Sequence, residues 1–155
     1  MSNSPRRVIA GLGPDGKSCV VCDEPIPQAV GDTMSIATLF TGAIARTSNA
    51  APLGESFPEF SMSQLTDPVY SMMIATYQPG LGKDDPGMHF TNTADHFYII
   101  EGEVVLVLEA GDVVLRAGDV GICRGAMHGW RNDSDKVARL ITFVLPADPL
   151  PGEGS

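Results

Sequence analysis

The sequence is poor in the residues that bind nucleic acid or cross a membrane. It has 10 Lys and Arg against 19 Asp and Glu, which gives a formal net charge of −9 over 155 residues. A chain this acidic lacks the basic surface that nucleic acid or an anionic membrane would need. No apolar run approaches the ~20 residues of a membrane helix, and no signal-peptide core follows Arg6 and Arg7. We therefore expect a cytoplasmic protein that contacts neither nucleic acid nor membrane.

Cysteine is also scarce. Because the three cysteines are an odd number, a fully paired disulfide framework is excluded. Cys19 and Cys22 have the spacing of some metal and redox sites, but no second pair completes a zinc set. Their segment is predicted to be a strand, so we interpret both as small apolar residues of the interior.

Helical periodicity is missing, and short apolar segments between turns take its place. The 17 Gly and 12 Pro are spread along the chain without a fixed period. Strands are predicted at 6–12, 17–23, 35–42, 70–77, 87–91, 95–101, 103–109, 112–117, 119–124, 126–131 and 137–145. Many short strands with regular turn punctuation predict an all-β fold, either a sandwich, a jelly roll or a closed barrel.

The length fits a single domain over 1–155. Within it we expect an N-terminal hairpin and strand over 6–42, an irregular loop over 43–67, a barrel core over 68–146 and a tail over 147–155. A loop this long in a compact domain is usually functional or mobile. It could lie across the barrel mouth, cover a partner subunit, or move freely at the surface.

Three polar side chains of the predicted core could share one cavity. Alternate residues of a strand face the same side, so Asp95 and Phe97 would share a face, as would His128 and Trp130. If their strands are neighbours of the segment around His89, two imidazoles and a carboxylate converge. The residues predicted to line the substrate pocket around them are Thr91, Phe97, Trp130, Met73 and Asn132.

Each of the three also has an ordinary structural explanation. His89 could be a solvent-facing residue after a turn, and His128 could be a hydrogen-bonded histidine of the core. Asp95 could cap the turn that precedes it, because Asp is common at such positions. The sequence leaves these alternatives open.

The stretch from Pro86 to Asn132 resembles the two sequence motifs of the cupin superfamily. The first motif has a His, a second His two positions later, an acidic residue and a Gly; this chain has His89, Thr91, Asp95 and Gly102. The second motif runs from Gly-Asp through a turn to a His and an Asn; this chain has Gly118, Asp119, Gly125, His128 and Asn132. The second motif is one residue short and lacks its usual Pro.

The resemblance implies a cupin-type antiparallel β-barrel, also called a double-stranded jelly roll, and commonly a homodimer. It further implies a metal site, usually of three His and one Glu. Here Thr91 replaces one His and Asp95 replaces the Glu, so the candidate metal ligands are His89, Asp95 and His128. This set could hold one divalent ion, Fe, Zn, Mn or Ni, or it could act without a metal.

The function expected from these residues is that of an enzyme on a small molecule. His128, Asp95 and His89 would exchange protons with a carbonyl-bearing or aromatic metabolite, because imidazole paired with carboxylate suits acid–base catalysis. A lyase or isomerase is the best match, acting by dehydration, decarboxylation or isomerisation. The resemblance to small cupins implies a place in specialised metabolism. An Fe(II) dioxygenase and a non-catalytic ligand-binding or sensor barrel are the alternatives.

Overall fold

The computed structural model describes residues 6–12, 18–25, 33–44, 57–65 and 69–149. Their regular structure is β-strand, apart from the 3₁₀ turn Met62–Leu65. In chain order the strands are β1 Arg6–Leu12, β2 Ser18–Pro25, β3 Met34–Ala43, β4 Val69–Tyr77, β5 Thr93–Glu101, β6 Glu103–Leu108, β7 Val113–Arg116, β8 Val120–Arg124, β9 His128–Arg131 and β10 Ala138–Pro146. In this part of the chain, no helix is long and apolar enough to cross a membrane.

The strands form three antiparallel sheets. Strand β1 pairs with β2 as a two-stranded sheet. A five-stranded sheet has the order β3-β4-β10-β5-β8, and a three-stranded sheet has the order β7-β6-β9. Most neighbours within the five-stranded sheet are distant in sequence, since β10 lies between β4 and β5. The predicted all-β class is confirmed.

Alternating apolar residues on the inner strand faces build the core. On β4 the side chains of Met73, Ala75 and Tyr77 are buried, which is the two-residue period of a strand with one face inward. Phe97 and Ile99 continue the same layer on β5. The whole core cluster is Ala75, Tyr77, Phe97, Ile99, Val104, Leu115, Cys123, Ala138 and Leu140, drawn from both larger sheets. Each large side chain fully buried here stabilises the fold by about 1.5–3 kcal/mol.

The outer face of β5 and β8 is apolar as well. Tyr98, Ile100, Val120 and Ile122 are all exposed by 44% or more. Apolar and polar residues therefore do not alternate along these two strands. Packing against the other sheet decides which of their side chains face inward. The homodimer expected from the resemblance stays a prediction.

One predicted strand is wrong. Residues 87–91 form no strand, and His89 makes only an isolated bridge to His128. The reason is a turn: Gly87 has a positive φ of 66°, and its N–H binds Asp85 Oδ1 at 2.8 Å. That backbone leaves the extended conformation just before His89. Residues 13–17 of the predicted N-terminal hairpin, most of the loop 43–67 and the end of the tail lie outside the described residues.

Candidate functional site

An apolar cavity of about 100 Å³ lies against the inner face of the five-stranded sheet. Three ionisable side chains that the sequence singled out line it, namely His89, Asp95 and His128. The rest of the wall is Ile36, Phe60, Leu65, Met73, Ala75, Tyr77, Phe97, Cys123, Trp130, Leu140, Thr142 and Val144. No Lys or Arg of the described segments is among the lining residues. The structure thus brings the three predicted polar residues to one chamber, whose wall is otherwise largely carbon.

The two histidines are held together by their own backbones. His89 N–H donates to His128 O at 2.8 Å, and His128 N–H donates to His89 O at 2.9 Å. The N–H of Trp130 continues this pairing by donating to Pro86 O at 3.0 Å. The imidazole centroids lie 4.5 Å apart with their planes at 48°. A backbone bridge therefore sets the spacing of the pair.

Both imidazoles are held in the same tautomer. His89 Nδ1 lies 2.7 Å from Gly87 O, and His128 Nδ1 lies 2.9 Å from Ala126 O. Because a carbonyl oxygen only accepts, each Nδ1 must carry the hydrogen. In the neutral ring, Nε2 is then left with its lone pair. Nε2 of each histidine can therefore accept a proton or give its lone pair to a metal ion.

The Cys123 thiol packs against His128. Its Sγ lies 3.5 Å from His128 Nδ1 and 3.9 Å from Ala126 O. Burial raises the pKa of the thiol, and the negative charge of Asp95 raises it further, against the lowering effect of the bond to Ala126. The thiol stays protonated near neutral pH and lacks the thiolate that a nucleophile requires. We interpret Cys123 as a packing neighbour of His128.

Asp95 supplies the carboxylate of the cavity. It lies on β5 opposite Cys123 of β8 and Val144 of β10. Its Oδ1 is buried, and no hydrogen-bond partner reaches it from the described residues. An unsatisfied buried oxygen of this kind is costly. A ligand in the cavity can supply the missing donor.

Aromatic rings form one wall of the cavity around Trp130. Its ring stacks on Tyr77 at a centroid distance of 5.6 Å and meets Phe97 edge-on at 5.4 Å. It also meets His128 edge-on at 6.1 Å. Burial raises the pKa of Tyr77, and Asp95 adds to that rise. The sequence reasoning missed Tyr77, although the two-residue period from Met73 through Ala75 indicates it.

The three predicted metal ligands do not form a complete metal-binding group in this structure. Within the described ranges, no three His, Cys, Asp or Glu side chains are grouped so that they could hold a metal ion. His89 and His128 each keep an available Nε2, but Asp95 is one methylene shorter than the Glu of the motif and does not complete the group. We therefore derive no step through a metal. A divalent ion bound by His89, Asp95 and His128 stays a prediction.

Thr91 and Asn132 lie outside the cavity wall, which corrects their predicted placement. Thr91 is hydrogen-bonded through its hydroxyl to the hydroxyl of Thr93 at 2.6 Å. Asn132 is fully buried in the turn after β9, where its amide bonds to the chain itself. Its Nδ2 donates to Tyr77 O at 3.1 Å and to Lys136 O at 2.8 Å. Its Oδ1 accepts from Ser134 N at 3.0 Å and Ser134 Oγ at 2.8 Å.

Comparison with known proteins identifies the fold family. Residues 73–144 match the family model Cupin_2, described as a cupin domain. The chain contains a cupin domain. The matched segment begins within β4, ends within β10, and includes both histidines and Asp95.

Relatives of this cupin domain occur among fungal proteins. The chain is 54% identical over 54 residues to the cupin-domain-containing oxidoreductase srdB of Neurospora crassa, covering 34% of the chain and 28% of the relative. It is 32% identical over 107 residues to the phomopsin biosynthesis cluster protein C' of Diaporthe leptostromiformis, covering 68% of the chain and 50% of the relative. The cupin chain thus spans half or less of the length of these two relatives.

A solved structure supports the cupin fold over almost the whole chain. The Schizosaccharomyces pombe Cnp3 cupin domain superposes with a TM-score of 0.55, covering 93% of this chain and 89% of that one. The identity between the two is 13%, so the likeness concerns the fold alone. The predicted cupin-type antiparallel barrel is confirmed.

Proposed function

We propose that the chain is an enzyme of specialised metabolism that moves protons on a small carbonyl-bearing or aromatic molecule, as an isomerase or lyase. The observation that carries this proposal is the histidine pair, in which both Nδ1 atoms are tied to backbone carbonyls and both rings line an apolar cavity. That arrangement leaves the lone pair on Nε2 of two rings that line a chamber whose wall is mainly carbon. An apolar chamber with a few convergent polar groups is typical of small-molecule sites.

His128 is the proposed general base. His128 is 4% exposed, and the bond from Nδ1–H to Ala126 O holds its ring in one orientation. A proton on the carbon next to a substrate carbonyl would pass to Nε2, while the electron pair of the C–H bond forms the C=C bond of an enolate and the π pair of the carbonyl moves onto its oxygen. Returning the proton to another carbon completes an isomerisation. Loss of a neighbouring hydroxyl as water, after it receives a proton, completes a dehydration.

Asp95 and His89 are the proposed assisting groups. The carboxylate of Asp95, which lines the cavity, can accept a hydrogen bond from a substrate hydroxyl. His89 is paired with His128 through the backbone bridge and can stabilise charge that develops beside it. A general base of this kind contributes about 10²–10⁴-fold to a rate.

The relatives support the metabolic setting. The Diaporthe leptostromiformis relative is named for a biosynthesis cluster, and this chain aligns with it over 68% of its length. Because the chain spans half of that relative, we extend only the class of pathway to this chain. Substrate and reaction are inferred from the cavity.

The test is proton exchange at carbon. The purified protein would be incubated in D₂O with small ketones, and deuterium incorporation next to the carbonyl would be followed by NMR. We expect His128→Gln to lose about 10²–10⁴-fold of the exchange rate and Asp95→Asn to lose a smaller part. His96→Gln is the matched control, because His96 lies on the opposite strand face and does not line the cavity. Equal rates in His128→Gln and wild type would refute the proposal.

An oxidoreductase is the second candidate, and the name of the Neurospora crassa relative favours it. Metal analysis of protein purified without added metal separates the two candidates. One equivalent of iron, together with oxygen consumption that depends on a bound small molecule, would favour oxidation. Ligand binding without exchange or oxidation would leave a binding barrel.

A further inference from the structure

Tyr77 carries a hydroxyl that makes no hydrogen bond to the part of the chain that the structure describes. It ends β4, lines the cavity and is only 4% exposed. Its backbone carbonyl accepts from Asn132, and its ring stacks on Trp130. No hydrogen bond from the described residues reaches the hydroxyl. A buried tyrosine hydroxyl usually has a hydrogen-bond partner, since a buried hydroxyl without a hydrogen bond costs free energy.

We infer that the Tyr77 hydroxyl donates a hydrogen bond to the carbonyl oxygen of the substrate, and that this substrate is an uncharged carbonyl compound. The catalytic part of this inference rests on the proposed function. The recognition part concerns binding alone and can be measured without turnover.

The hydroxyl acts as a donor because it keeps its proton. Burial raises the pKa of Tyr77, and the carboxylate of Asp95 raises it further. The O–H group is therefore intact throughout the physiological range. It complements the Nε2 atoms of His89 and His128, which are acceptors while those rings are neutral.

The charge of the described wall disfavours anionic substrates. Asp95 faces the cavity, and the described lining contains no Lys or Arg that could balance a substrate carboxylate or phosphate. Arg131 lies elsewhere, in ion pairs with Asp112 at 3.0 Å and Asp133 at 2.8 Å. An anion entering this chamber would lose its water without gaining a fixed cation. Decarboxylation of a free acid is therefore disfavoured, and isomerisation and dehydration remain.

The two roles fit one chemical step. A hydrogen bond from Tyr77 polarises the carbonyl, and His128 takes the proton from the adjacent carbon. The electron pair of that C–H bond then moves toward the carbonyl oxygen, where the Tyr77 O–H stabilises the developing charge. Every group in this step is a side chain of the cavity wall.

Trp130 provides the binding signal, because it is the single tryptophan of the sequence and touches Tyr77 directly. Its fluorescence would be titrated with cyclopentanone, cyclopentane and cyclopentanecarboxylate, which share a ring and differ in the polar group. We expect cyclopentanone to bind best and cyclopentanecarboxylate to give no saturable change. In Tyr77→Phe the affinity for cyclopentanone should fall about 2- to 12-fold, the value of one neutral hydrogen bond, while cyclopentane is unaffected.

Tyr98→Phe is the matched control, because Tyr98 is 46% exposed on the outer sheet face and loses the same hydroxyl. Its affinity for cyclopentanone should equal that of the wild type. Unchanged cyclopentanone affinity in Tyr77→Phe, tighter binding of the carboxylate, or no saturable response to cyclopentanone would each overturn the inference. Circular dichroism of both variants checks that the fold is retained.

The proton-exchange experiment separates failure of this inference from failure of the proposed function. If cyclopentanone binding depends on Tyr77 but no deuterium enters the ketone, the recognition role stands and the proposed enzyme activity fails. If exchange depends on His128 but Tyr77→Phe binds and exchanges like the wild type, the activity stands and the role of Tyr77 fails.

Discussion

Replacing Asn132 by alanine should lower the free energy of unfolding by about 2–5 kcal/mol. The side chain is fully buried and makes four hydrogen bonds, two donated to the Tyr77 and Lys136 carbonyls and two accepted from Ser134. One such bond contributes about 0.5–1.5 kcal/mol net, and the buried groups left without a partner add to the cost. The loss is large against a typical stability of roughly 5–15 kcal/mol.

Urea denaturation followed by Trp130 fluorescence measures this loss. With a slope of about 2 kcal/mol/M, the midpoint should fall by about 1–2.5 M. Asn132→Asp keeps the acceptor for Ser134 but turns an oxygen toward two carbonyls, so we expect it to be no more stable than Asn132→Ala. Asn92→Ala, at an exposed position, is the control and should stay close to wild type. A midpoint for Asn132→Ala within about 0.3 M of wild type would contradict the structural role.

Three further changes probe the cavity and its titratable groups. In Gly121→Ala the new Cβ would meet Cε2 and Cζ of Phe97, so the ring must shift and the cyclopentanone affinity measured by Trp130 fluorescence should change; an unaltered affinity would contradict this contact. The raised pKa of Tyr77 means that the folded state keeps a proton that the unfolded state loses above its ordinary pKa of about 10. Stability should therefore fall as pH rises past 10, and the drop in urea midpoint from pH 8 to 11 should be smaller in Tyr77→Phe than in wild type; equal drops would exclude that linkage. Burial and a raised pKa should make Cys123 slow to react with iodoacetamide at pH 8 until urea is added. Peptide mapping by mass spectrometry measures this labelling. Rapid labelling of the native protein would show that the thiol is accessible.

The strands could be predicted from the sequence because their turns are marked by Gly, Pro and polar clusters. The conformation of segment 87–91 could not be predicted, because its residue pattern resembles that of a strand. Gly87 turns the backbone out of the extended conformation there. The order of the five-stranded sheet was also out of reach. It depends on pairing of β10 with both β4 and β5, and no local pattern encodes contacts that distant.

The histidines and Asp95 could be chosen from their residue types and motif spacing. The side chains that surround them in the cavity could not be predicted in this way. Asn132 has the spacing of a motif residue, yet its side-chain amide is hydrogen-bonded to Lys136 and Ser134 of the turn that it stabilises. Tyr77 belongs to no motif, and the role proposed for it rests on a buried position, a hydroxyl without a hydrogen bond to the described residues, and a ring stacked on Trp130.

The backbone bridge between the two histidines also joins the interior to water. His128 is 4% exposed, whereas His89 is exposed at the surface, and their rings are in contact. If His128 acts as the proposed base, the proton that it takes has a second imidazole beside it, from which solvent can remove the proton. Under the proposed function, His89 would therefore give protons a path between the cavity wall and the medium.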